Sequence, residues 1–298
     1  MSLKQTIAAA LVAVIAMSIN TAAPAQEKMP VIASFSILGD LVKNVGGDRV
    51  EVGTLVGPNS DSHVYSPAPA DAKRVAAAKA VFINGLGLEG WITRLVKASG
   101  TRAATVIATN GIKTRRMEED GRQVTDPHAW QSVANTKIYV TNIRDGLIAA
   151  DPAGKGVYEA NARAYLAKLD ALETEVKDAL GKIPADRRRI ITSHDAFGYF
   201  GAAYGIEFIA PTGVSTEAQV SAKDVARIIV QIRKQKIPAV FMENIADPRM
   251  MEQIAKESGA KVGGRLFSDA LSDDKGPAPS YIDMMRNNIH QLSSALTS

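Results

Sequence analysis

The chain has 298 residues, 46% hydrophobic and 22% charged, with a formal charge of +4 at neutral pH. This is the composition of an ordinary globular chain long enough for two domains, and it excludes a disordered or fibrous protein. Lys and Arg are interspersed with acids rather than gathered in a stripe, and aromatics are only 5%, so no nucleic-acid partner is expected despite a pI near 9.1.

The first residues carry a positive charge at Lys4, an almost wholly apolar run over 6–19 and the small residues Ala23-Pro24-Ala25. They predict a cleavable secretory signal over 1–25, with Gln26 opening the mature chain. The apolar run is shorter than the ~20 residues of a spanning helix. The sequence contains no cysteine, so neither a disulfide nor lipid attachment at a cleavage-site cysteine is available. A freely soluble periplasmic protein is expected.

Buried strands are predicted over 31–36, 50–56, 80–84 and 104–108, alternating with helices over 37–45, from Pro69, and over 91–98. Residues 113–125 are polar and charged and predict an exposed loop, followed by a helix over 133–150. Between Pro152 and Pro184, the residues Tyr158, Ala162, Tyr165, Leu169, Leu172, Val176 and Ala179 recur at steps of four and three, which places them on one face of a helix. At about 1.5 Å per residue this helix runs roughly 40 Å, enough to act as a spine. The same alternation then restarts, with strands over 189–193, 206–210, 239–243 and 261–267, and helices through Tyr199 and Tyr204, over 225–234 and 250–258, and from Tyr281 to about Leu296. Strands alternating with helices imply parallel pairing. The fold class is therefore α/β: an N-terminal lobe over 26–150, a linking helix over 151–184 and a C-terminal lobe over 185–298.

Three of the four histidines, His63, His128 and His194, fall in loops after predicted strands, and Asp269 holds the same place after the last strand. Open α/β sheets bind ligands outside the carboxyl ends of their strands. Three neutral imidazoles and one carboxylate are a donor set for a borderline divalent ion such as zinc, and they fill a tetrahedral site. Asp126 can accept a second imidazole N–H, Asp61 and Asp195 can serve likewise or act as turn and capping residues, and Trp130 can wall off water. Glu243 ends a strand and is taken as a supporting carboxylate or an interlobe polar contact rather than a ligand. His290 lies in the last helix and is assigned no role in the site.

The runs Asp61-Ser62-His63-Val64-Tyr65, Asn84-Gly85-Leu86-Gly87-Leu88-Glu89, Asp126-Pro127-His128-Ala129-Trp130 and Ser193-His194-Asp195-Ala196-Phe197, with Pro279-Ser280-Tyr281 to Asn287, resemble the solute-binding proteins of zinc and manganese ABC importers, the TroA-like or ZnuA-like family. The resemblance covers the whole mature chain. It implies two Rossmann-like lobes joined by one rigid helix, a metal buried between them, and His63, His128, His194 and Asp269 as its ligands. It further implies Zn2+ or Mn2+ as transported cargo and an ABC permease as partner, with the chain acting as a monomeric receptor and not an enzyme. Two departures stand out. The first loop has Ser62 and Ser66 where the family often has Pro and Glu, and the 113–125 loop lacks the histidines of many zinc-dedicated members. Manganese-type members usually carry a glutamate at the place of His194, so His194 argues for zinc or dual use. The competing function is a secreted zinc-dependent hydrolase using the same histidines, which needs an open coordination position and a general base. The sequence offers a fourth ligand and no His-Glu-x-x-His motif.

Overall fold

The computed structural model describes residues 27–297 apart from 120, 212, 214, 215 and 217–220, so the expected signal segment lies outside the described residues. The N-terminal half runs β1 (Met29–Phe35), α1 (Ser36–Gly46), β2 (Val50–Val56), α2 (Pro69–Ala77), β3 (Ala80–Ile83), α3 (Ile92–Ser99) and β4 (Ala104–Ile107). A short hairpin, β5 (Arg116–Glu119) and β6 (Arg122–Thr125), precedes α4 (Val133–Ala150) and the long α5 (Lys155–Gly181). The C-terminal half runs β7 (Arg189–Ile191), α6 (Gly198–Tyr204), β8 (Glu207–Ile209), α7 (Ala222–Gln235), β9 (Ala239–Glu243), α8 (Arg249–Ser258), β10 (Lys261–Leu266) and α9 (Tyr281–Leu296).

Each half builds a four-stranded parallel sheet, ordered β2-β1-β3-β4 and β10-β9-β7-β8. Counted within its own half, each sheet has the order second, first, third, fourth, so the two halves share one winding. The apolar run of β3 is buried at every position, as expected of a central parallel strand with helices on both faces, whereas the edge strand β4 is mostly exposed.

Helix α5 buries Tyr158, Ala162, Tyr165, Leu169, Leu172, Val176 and Leu180, so the predicted seam holds except that Leu180, not Ala179, is its last buried position. It packs on α1 and α4 of the N-terminal half and on α9 of the C-terminal half. One continuous core therefore joins Phe35, Leu38 and Trp130 to Tyr281, Met284 and Leu292. A second, smaller core of Ile191, Ile228, Ile232, Val240 and Ile254 lies beneath α7 and α8.

The expectation of an exposed loop over 113–125 is corrected. Arg116–Glu119 pairs antiparallel with Arg122–Thr125, and Gly121 sits at a φ of +73° in the turn between them. Its strand alternation is hidden because Met117 is its one buried apolar side chain.

Candidate metal centre

The four predicted ligands converge. His63 follows β2, His128 follows the hairpin, His194 follows β7 and Asp269 follows β10, and one donor atom from each lies within 4.8 Å of the other three. His63 Nε2 is 3.0 Å and His194 Nε2 3.1 Å from Asp269 Oδ2, while His63 and His128 bring their Nε2 atoms to 3.3 Å. His128 Nε2 is 3.7 Å from Asp269 Oδ1. A tetrahedron of bonds about 2.1 Å long has edges of about 3.4 Å. The four contacts given lie around that edge length, so the donors already stand close to where one ion of zinc's size would need them.

Each histidine has a carboxylate on its backbone N–H, and for His128 and His194 the same carboxylate stands behind the ring. Asp61 Oδ1 accepts the His63 backbone N–H at 2.8 Å. Asp126 Oδ1 accepts the His128 backbone N–H at 3.0 Å and lies 2.9 Å from its Nδ1. Glu243 Oε1 accepts the His194 backbone N–H at 2.9 Å, and its Oε2 lies 2.6 Å from His194 Nδ1, with the ring N–H off the line to the oxygen. Glu243 thus does for His194 what the sequence offered to Asp195. Asp195 instead gives its backbone N–H to the Gly213 carbonyl, and among the described residues its carboxylate has no hydrogen bond to an imidazole. Gly198 makes room for Asp126, because a Cβ there would stand 2.6 Å from Asp126 Oδ2.

The recurrent motifs are the outer supports of this arrangement. Burial pushes the Glu89 carboxyl up, and Glu89 takes the N–H groups of Asn84 (2.6 Å) and Gly85 (3.1 Å) and the Ser34 hydroxyl. Asn84 in turn donates to the Pro127 carbonyl at 2.9 Å, next to His128. Trp130 stands edge-on to His128 and, with Gln131, donates to the Ser268 carbonyl at 2.8 and 2.7 Å, beside Asp269. The Trp130 expectation is therefore extended: this side chain fastens the Asp269 loop as well as covering His128. Asn288 of α9 grips both the N–H and the carbonyl of Phe267.

The electrostatics follow from burial against charge. Burial raises the Asp269 carboxyl, but the His194 and His128 imidazoles outweigh it and hold Asp269 well below the usual carboxylate range. Burial likewise opposes charge on His128 and His194. Asp269 and Asp126 nevertheless raise His128, and Glu243 and Asp269 raise His194 well above the ordinary imidazole value. Asp269 Oδ1 is buried without a hydrogen-bond partner among the described residues. A buried oxygen left open beside three imidazole nitrogens is a donor set awaiting a cation. His194 also borders a cavity of about 990 Å³ between the Asp61–Val64 loop and helices α7 and α8. His290 is exposed on α9, outside the cluster.

Comparison with known proteins agrees with this geometry. Residues 31–295 match the family model described as zinc-uptake complex component A, periplasmic. The chain is 34% identical to the manganese-binding lipoprotein MntA of Halalkalibacterium halodurans over 91% of this chain and 89% of that protein. It is also 34% identical to the iron-binding protein YfeA of Yersinia pestis, over 96% and 95% of the two chains. Among solved structures, the periplasmic zinc-binding protein TroA of Treponema pallidum superposes with a TM-score of 0.86 at 29% identity, covering 91% of this chain and all of that one. A manganese-bound periplasmic metal-binding protein from Candidatus Liberibacter asiaticus gives 0.81 at 32% identity, over 90% of this chain and 100% of that chain.

Proposed function

The chain belongs to the periplasmic zinc-uptake component A family of ABC importers, and from that premise we propose that His63, His128, His194 and Asp269 hold one divalent transition ion as cargo. The observation that carries the reading is the set of four donor atoms within 4.8 Å of one another, each imidazole presenting Nε2 inward. Three imidazoles and one carboxylate suit zinc, and manganese is the second cargo because relatives of both kinds surround the chain. The protein is a receptor that hands its ion to a membrane permease, and it performs no reaction on it. The hydrolase reading finds no support: four donors already meet at one point, and Asp126 and Glu243 are engaged behind imidazoles rather than beside an open position. Several relatives are lipoproteins by name, whereas this sequence has no cysteine to lipidate, so we place it free in the periplasm. We take it to act as a monomer of two lobes, 26–150 and 185–298, linked over 151–184, and without a nucleic-acid partner.

Titration calorimetry with zinc tests the ligand set. Wild type is expected to take up one ion per chain, and His63→Ala, His128→Ala and Asp269→Ala each to weaken binding by at least two orders of magnitude, since each leaves the ion with three donors. His290→Ala serves as the silent control. Affinity like that of wild type in two of the three ligand variants overturns the assignment.

A further inference from the structure

Three carboxylates at this centre are fully buried: Asp126, Glu243 and Asp269, exposed by 1%, 2% and 0%. Asp126 has a cation nearby, with Arg115 Nε 3.8 Å from its Oδ2. Glu243 and Asp269 have only imidazoles as ion-pair partners among the described residues.

The two oxygens of Glu243 have unequal tasks. Oε1 faces the backbone N–H of His194 at 2.9 Å, a donor that cannot be reversed. Oε2 stands against Nδ1 of the same residue at 2.6 Å, with the ring N–H off the line to it, and two acceptors this close would repel. A carboxylate can only accept, so Nδ1 must carry the proton and Nε2 must present its lone pair toward His63 and Asp269. We propose that Glu243 is a positioning residue of this centre, fixing the metal-competent tautomer of His194. The inference rests on the ligand set proposed above and assigns a role to a residue outside it.

The two contacts make the isosteric substitution worse than truncation. In Glu243→Gln the fixed backbone N–H claims the amide oxygen, because turning the amide round would set two donors against each other. The amide NH2 then faces Nδ1, which must become the acceptor, and the proton moves to Nε2, where it blocks the ion. Glu243→Ala removes the acceptor but imposes no tautomer. A residue that merely fills space behaves the other way, tolerating Gln better than Ala.

The test is zinc chloride titrated against a competing chelating dye for wild type, Glu243→Gln and Glu243→Ala, with His194→Ala as the limit and circular dichroism as the check on folding. Nitrogen-detected NMR of the imidazoles reports the tautomer. Expected is a 10–100-fold loss of affinity in Glu243→Ala, a larger loss in Glu243→Gln, and a His194 protonated on Nε2 in Glu243→Gln alone. If Glu243→Gln folds and binds as well as Glu243→Ala or better, or keeps the proton on Nδ1, the proposal is overturned. Should the Gln variant not fold, wild-type affinity in the Ala variant overturns it just as well. Absence of zinc binding in wild type, by contrast, defeats the ligand set and not the role of Glu243.

Discussion

Replacing Asp40 by Asn should stabilise the protein at neutral pH and do much less at acid pH. Asp40 lies on α1, half-buried, and its Oδ2 accepts the backbone N–H of Tyr281, the first residue of α9, at 2.9 Å. Asn44 donates to Oδ1 at 3.1 Å and also to the Asp40 carbonyl. Burial pushes the carboxyl up from 3.8 to about 6, although the Tyr281 N–H and Lys43 pull the other way. A rise of that size corresponds to about 3 kcal/mol between the two protonation states. The folded chain therefore binds a proton that the unfolded chain has released between those two pH values. This contribution is fully present below the unfolded value near 4 and is lost as pH rises through about 6. At pH 7.5 the wild type holds a charged carboxylate in a site that prefers it neutral. Asn is the neutral isostere, and its oxygen can still take the Tyr281 N–H. The variant is expected to gain about 1–3 kcal/mol at pH 7.5, a rise of several degrees in melting temperature, and to keep only about a third of that gain at pH 4.5, just above the unfolded value. Urea unfolding of both proteins without added metal, at the two pH values, measures the difference directly. An Asn variant that is less stable at pH 7.5, or one whose difference is the same at both pH values, refutes the argument.

Zinc affinity should fall steadily from pH 7.5 to 5.5, because His128 and His194 are held above the ordinary imidazole value and so protons compete for Nε2 before pH 6.5 is reached; an affinity that stays flat across this range means that the histidines are not ligands. Small-angle scattering should show little change in radius of gyration on adding zinc, since α5 is one unbroken helix of 27 residues whose bending breaks its hydrogen-bond ladder; a large change rules out that reading. Competition titrations should find zinc bound more tightly than manganese in the wild type, with His194→Glu lowering the zinc-to-manganese ratio because a second carboxylate suits the harder ion. A ratio that does not fall shows that His194 does not set the choice.

Most of the fold was legible because its strands are short apolar runs and its long helix keeps one unbroken seam. The bounds of β2, β9, α4 and α9 agree with the sequence expectation almost to the residue, since each is framed by Gly, Pro or a capping Ser. The hairpin was not legible: a two-stranded ribbon with one buried Met has no apolar alternation to show. That His63, His128, His194 and Asp269 would lie together was legible from position alone, because strand ends are where this architecture gathers its chemistry. The layer behind them was only half legible. Asp61 and Asp126 lie two residues before their histidines and accept the backbone N–H in the manner of an Asx turn. Glu243 stands 49 positions from His194 and reaches it only because β9 pairs with β7. Local spacing suggested Asp195 for that role, and strand order gave it to Glu243.

By chain position, His194 and Asp269 both belong to the C-terminal half. The backbone of the loop that carries Asp269, however, is fastened largely to the N-terminal half. The Ser268 carbonyl takes Trp130 and Gln131, Leu271 donates to the Ser36 hydroxyl at 3.0 Å, and the Leu271 carbonyl accepts the Asn59 N–H at 2.9 Å. Tyr281, which begins α9, donates its hydroxyl to the Trp130 carbonyl at 2.8 Å and its backbone N–H to Asp40. The loop carrying Asp269 is therefore fastened to the scaffold that carries His63 and His128. His194 is set by the C-terminal sheet, through Glu243 at the end of β9, and the Asp269 loop keeps one tie there, from Asn244 to the Ala270 carbonyl. On the ligand set proposed above, taking the ion from four donors to three requires displacement of one strand end, with the long helix and the shared core left as they are. A receptor built this way can grip its cargo with a saturated shell and still release it through a small motion, which is what α5 permits.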